Sequence, residues 1–139
     1  MKNNKVAVVV DDDEMDALHI TNALTRAKPD LKTVWYADPE RALGEFDTLG
    51  EVSFMLVDLN MPGQGGIEFL NNLRSRENST FPPVIIFTSS GLEDDRQAAY
   101  EAKASAFLQK PSSLSDYTQL AQRCVGFWID AVELDGNNP

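Results

Sequence analysis

Four apolar runs in this chain stop at residues able to do chemistry. Val6 to Val10 is followed by Asp11-Asp12-Asp13, Phe54-Met55-Leu56-Val57 by Asp58, Val84-Ile85-Ile86-Phe87 by Thr88-Ser89-Ser90, and Ala106-Phe107-Leu108 reaches Lys110-Pro111. An acid at the carboxyl end of a buried strand is either a nucleophile for a phosphoryl group or a ligand for a hard cation. If Asp11, Asp12 and Asp58 share one hollow, each close pair repels by about 4 kcal/mol at an effective dielectric near 20. Lys110 supplies one compensating charge. A divalent cation must supply the rest, and with oxygen as the only donor on offer, Mg²⁺ retaining several waters is the natural candidate. The same hollow then suits a phosphoryl group on Asp58, with Thr88 donating to a phosphoryl oxygen and Ser89 adding its backbone N–H.

The elements that must position these residues follow from periodicity. The runs ending in Val10, Val57 and Phe87 read as strands buried on both faces, with further strands over 33–37 and 106–108. Between them, Ala17, Ile20, Leu24 and Ala27 recur at helical spacing over 14–27, where Asp13 is well placed as the cap and Pro29 as the stop. Asp38-Pro39 opens a second helix carrying Ala42, Leu43 and Phe46 inward, which Gly50 closes. Gly63 to Gly66 leads into a third with Ile67, Leu70 and Leu73 on one face. A polar loop over 78–83 follows, then a weaker, Ala-rich helix over 93–103 and a long one over 114–132. Five strands alternating with five helices call for a doubly wound α/β fold, a parallel sheet covered on both faces through right-handed crossovers. The sheet gathers the four strand ends at one edge.

Taken singly, each piece has a plain reading. Asp-Asp-Asp is a cap and loop, Lys-Pro a turn, Thr-Ser-Ser a helix start. Their coincidence at four strand ends is what points to a single site.

The 139 residues make one domain by size, with a core at about 5–125 and an extended last helix and tail over 126–139. A formal net charge of −10 argues against binding nucleic acid or an anionic membrane, so proteins are the expected partners. Cys124 is the single cysteine and reads as a packed thiol in a reducing compartment. No run approaches the roughly 20 apolar residues of a membrane span, and the charged start 1–5 precedes an apolar run too short for a signal peptide. A cytoplasmic protein is the expectation.

Val10-Asp11-Asp12, Asp58-Leu59-Asn60-Met61-Pro62-Gly63, Thr88-Ser89 and Phe107-Leu108-Gln109-Lys110-Pro111 together resemble the receiver domain of two-component response regulators. The resemblance implies a flavodoxin-like, five-stranded sheet in the order 2-1-3-4-5. It implies that Asp12 binds Mg²⁺ directly, that Asp11 helps through water, and that the Asn60 backbone carbonyl completes the protein ligands. Asp58 then takes phosphate from a sensor histidine kinase or phosphotransfer protein. Thr88 and Lys110 contact the phosphoryl group, and Phe107 holds the position of the switch aromatic. Phe107 stands where Tyr is frequent, and Gly65 where many members carry an acid. The face made by the fourth helix, fifth strand and last helix is expected to respond and, with no output domain following in this sequence, to deliver the signal itself.

The last helix carries Leu114, Tyr117, Leu120, Ala121 and Cys124 at core spacing, and then Phe127-Trp128-Ile129, which outruns the sheet. The aromatics cover the bottom of the core or form a dimer or partner surface. This ending resembles the stand-alone regulators that accompany bacterial phytochrome kinases, which implies a homodimer and a bacteriophytochrome as kinase. His19 is the only histidine and reads as a surface residue, leaving poor material for a His-based metal or Ser-His site. Two rivals remain. A Mg²⁺-dependent phosphohydrolase would also use an aspartyl-phosphate, but Met15 and the lack of an acidic pair after Lys110 count against it. A phosphate-independent adaptor would keep the fold and discard the chemistry.

Overall fold

Val6–Val10 forms β1, and all five residues are buried because both faces of the strand are covered. After it come α1 (Glu14–Ala27), β2 (Lys32–Tyr36), α2 (Pro39–Glu45), a 3-10 turn (Phe46–Thr48), β3 (Val52–Val57) and α3 (Gly66–Arg74). β4 (Val84–Thr88), α4 (Glu93–Glu101), β5 (Ala106–Gln109) and α5 (Leu114–Cys124) complete the alternation, and a π-helical segment, Val125–Ala131, continues from α5. The computed structural model describes residues 5–76 and 82–131. Residues 1–4 of the charged start 1–5, most of the polar loop 78–83, Val132 and the tail 135–139 lie outside them.

The five strands are parallel in the order β2-β1-β3-β4-β5, so the doubly wound, flavodoxin-like α/β architecture is observed. Alternation sends successive side chains to opposite faces. Val8, Val10, Met55, Val57 and Ile86 join Ala42 of α2, Phe69, Leu70 and Leu73 of α3 and Ala99 of α4 in one core. Ala7, Val9, Phe54, Leu56, Ile85 and Phe87 join Ile20 and Leu24 of α1 and Tyr117, Ala121 and Cys124 of α5 in the other. Each large side chain so buried contributes about 1.5 to 3 kcal/mol. The Cys124 thiol is buried as read from the sequence, and burial pushes its pKa up to about 11.

Capping follows the sequence. The Asp13 carboxylate accepts the Asp16 N–H at 3.0 Å, and the Asp38 carboxylate accepts the Glu40 N–H at 3.0 Å beside Pro39.

Four expectations are corrected. Leu114, placed at core spacing, is 65% exposed, because as the first residue of α5 its side chain leans back over the turn before the helix. Leu70 and Leu73 of α3 are buried as expected, but Phe69 is fully buried beside them while Ile67 is only partly so. His19 is half-buried against Tyr117, ring centroids 5.4 Å apart, rather than a surface residue. Finally, 3.6-residue spacing predicts one helix over 114–132, yet α geometry stops at Cys124. The sequence there is Val-Gly-Phe-Trp-Ile, a run of poor helix formers, and the wider turn tucks Val125 and Ile129 onto the core while Phe127 stays 56% exposed. Residues 125–131 therefore fold back against the core more than they outrun the sheet.

Candidate functional site

The carboxyl ends of β1, β3, β4 and β5 meet at one edge. Pairing fixes them there: the Asp58 N–H donates to Val10 O at 2.9 Å, and the Lys110 N–H to Thr88 O at 2.7 Å. One close approach also sets the loop after β3. A Cβ on Gly66 would lie 2.4 Å from the Asp58 carbonyl oxygen, so only glycine lets α3 start this near the acid. Gly63, with φ of +80°, makes the turn in between.

Carboxylate oxygens of Asp11, Asp12 and Asp58 all lie within 4.8 Å of one another. Asp11 and Asp58 are buried and Asp12 is exposed, so two acids form the floor and one the rim. Lys110, its side chain 7% exposed, sets its Nζ 2.7 Å from Asp11, 2.8 Å from Asp16 and 3.5 Å from Asp58. Asn60, Thr88 and Ser89 line the same open cavity of about 370 Å³, together with Asp13, Asp16 and Ser90. Thr88 is buried, and its hydroxyl accepts the Ser90 N–H at 3.3 Å. Every site residue read from the sequence is thus at this edge except Phe107. That residue lies half-buried on β5, its N–H donating to the Tyr100 hydroxyl at 3.1 Å, and it does not line the cavity.

Asp11 is held at each of its polar atoms. Its N–H donates to Tyr36 O, its carbonyl accepts the Trp35 indole N–H at 2.7 Å, Oδ1 accepts the Asp13 N–H, and Oδ2 takes Lys110. Such a carboxylate is a fixed charge. Burial raises the Asp11 pKa against the pull of Lys110. It lifts that of Asp58 to about 6, where Lys110 opposes and Asp11 and Asp12 reinforce the rise. Burial alone would lower the Lys110 pKa, but the hydrogen bonds it donates to Asp11 and Asp16 outweigh it and hold the ammonium well above its ordinary value. One ammonium among four carboxylates leaves the edge short of positive charge, and the donors facing the cavity are oxygens. That set fits a divalent, oxygen-preferring cation.

Two contributors were not legible in the sequence reading. Asp16 has a signal, the Asp-x-x-Asp spacing from Asp13, but that spacing is satisfied by helix capping alone. Trp35 has none, because its reach to Asp11 depends on β2 lying beside β1.

A sequence model of the response regulator receiver domain matches residues 7–122. Response regulator Rcp1 of Synechocystis sp. PCC 6803 is 28% identical over 136 residues, covering 94% of this chain and 92% of that protein. Among solved structures, the phosphorylated cyanobacterial phytochrome response regulator RcpA is similar with a TM-score of 0.82 and 25% identity, over 93% of this chain and 96% of that one. The Mn²⁺-bound form of Rcp1 is similar with a TM-score of 0.77 and 27% identity, over 91% and 95%.

Proposed function

The chain belongs to the response regulator receiver family, and on that premise we propose that Asp58 is the phosphoacceptor of a Mg²⁺-dependent phosphorelay in the cytoplasm. The observation carrying this reading is the packing of Asp11, Asp12 and Asp58 within 4.8 Å of one another, with the Lys110 ammonium against Asp11 and Asp58. Asp12, Asp58 and the Asn60 carbonyl would hold Mg²⁺, with Asp11 acting through water. When bound, the metal neutralises charge developing on the phosphoryl oxygens.

The chain's own residues do the rest. A carboxylate oxygen of Asp58 forms a bond to phosphorus in line with the bond that breaks to a phosphohistidine nitrogen of the kinase or phosphotransfer partner, which leaves with the electron pair. The Lys110 ammonium shields the arriving oxygens, the Thr88 hydroxyl donates to one of them, and the Ser89 backbone N–H adds a further donor. The added group carries roughly 1.5 to 2 negative charges. Drawing Thr88 inward frees room beside Phe107, and the face of α4, β5 and α5 changes for a partner. Inverting a 1:99 population needs about 5.5 kcal/mol of differential stabilisation, which metal and phosphoryl group must supply together.

A phytochrome-type histidine kinase is the partner we assign, supported by the likeness to Rcp1 and to the phytochrome response regulator RcpA. One receiver domain accounts for the chain. The exposed Phe127, packed edge-on to Trp128 at 4.7 Å, supports a homodimer through the π-helical segment that continues from α5. Light scattering of wild type beside Trp128→Ala tests this: a monomer in both removes the dimer.

Incubation with acetyl phosphate and Mg²⁺ tests the function. The expected result is one phosphoryl group per chain, on Asp58, and none on Asp58→Asn. Steady turnover of varied phosphate esters would instead favour a phosphohydrolase. Mg²⁺ should also raise the melting temperature of wild type, and Asp12→Asn should lose most of that gain.

A further inference from the structure

The Lys110 ammonium carries three N–H donors on one compact charge, and three carboxylates surround it. They share it unequally. Asp11 and Asp16 take short, charge-assisted contacts at 2.7 and 2.8 Å, while Asp58 Oδ1 stands at 3.5 Å, beyond ordinary hydrogen-bond length. Asp11 cannot move, since Trp35, Tyr36 and Asp13 hold its other polar atoms. Asp16 is fixed differently. It sits in the first turn of α1, where its N–H is captured by the Asp13 cap, and its side chain remains 28% exposed. Lys110 is therefore tethered from the helix side, away from β3. Without Asp16, the nearest carboxylate left to take up that N–H is Asp58.

We infer that Asp16 is a positioning residue for phosphoryl transfer: by occupying one N–H of Lys110 it holds the ammonium off Asp58. The consequence for chemistry is direct. A lysine in tight contact with Oδ1 engages the lone pair that must attack phosphorus, and a carboxylate so engaged is a weaker nucleophile. Held at 3.5 Å, the ammonium leaves that lone pair open and keeps a third N–H for an arriving phosphoryl oxygen. This role rests on the reading of Asp58 as phosphoacceptor, and the experiment separates the two.

The test is Asp16→Asn, which keeps the shape and removes the charge. In a crystal structure of the variant, Nζ should close to about 3 Å or less from Asp58, a normal hydrogen-bonded distance. Labelling by acetyl phosphate with Mg²⁺ should slow by about 5- to 20-fold, and Asp16→Glu should recover most of the rate. In a Lys110→Met background, Asp16→Asn should change the rate by less than about twofold, because a residue acting through Lys110 has nothing left to act on. Asp16→Ser reports the same loss if the Asn variant does not fold. An Asp16→Asn rate within twofold of wild type overturns the role of Asp16, as does an equal loss with and without Lys110, or an Nζ that stays at 3.5 Å. A wild type that takes no phosphoryl group on Asp58 overturns the phosphoacceptor reading beneath it.

Discussion

α1 and α4 each follow a strand end that lines the cavity, one after the acidic loop and the other after Thr88, yet they are held very differently. α1 buries Ala17, Ile20, Ala23 and Leu24 and is capped by Asp13 at its start and by the Lys28 N–H on Leu24 O at its end. α4 buries only Ala99, begins at Leu92 with no side-chain cap bond, and ends where Lys103 adopts a φ of 71°. Apolar burial and capping set the free energy of local opening. The acid half of the pocket thus rests on a well-buried, capped helix, and the hydroxyl half on one with little burial and no side-chain cap. Under the proposed function, a site that holds a cation in one place and reports its occupancy in another would use that asymmetry.

The comparison can be broken first at α1. Leu24→Ala should cost about 2 to 5 kcal/mol in urea unfolding, against about 1 kcal/mol for Ala99→Gly in α4. Equal costs would dissolve the contrast. Next in size is the charge stored in the acid half. The Asp58 pKa is raised to about 6 in the fold, so its contribution to stability is complete below the unfolded value of 3.8 and is lost as pH rises through 6. Asp58→Asn escapes that loss. Without Mg²⁺ it should be more stable than wild type at pH 7, by up to about 3 kcal/mol from a shift of roughly two units, and the gain should fade towards pH 4. A constant gain across pH would assign the effect to packing.

Hydrogen exchange reads the two helices side by side. Amides of α4 should exchange at least about tenfold faster than those of α1, a difference of 1.4 kcal/mol in opening. The smallest expected effect is at the end of α4. There the Lys103 N–H donates to Tyr100 O and the Ala104 N–H to Ala99 O, a closing turn whose left-handed position suits glycine. Lys103→Gly should stabilise by about 0.5 to 1 kcal/mol, visible as slower exchange in α4 and unchanged exchange in α1.

Most of this fold was legible before any coordinates, for identifiable reasons. The strands ending in Val10, Val57 and Phe87 are buried on both faces, and such strands advertise themselves as unbroken apolar runs. α1 was legible to the residue because its stripe, cap and proline stop agree. The last helix was not. A spacing of three or four residues cannot separate α from π geometry over two turns, and only contact with the sheet decided where Val125 and Ile129 would lie.

The sequence by itself determined that acids, hydroxyls and a lysine follow four buried strands, because residue type and buried-strand patterning are local properties. The tertiary structure alone decided how the charges are shared. That Lys110 belongs first to Asp11 and Asp16, and that Trp35 pins the Asp11 carbonyl, are outcomes of distance between segments far apart in the chain. Coulomb energy and hydrogen bonding depend on that distance, which no local pattern encodes.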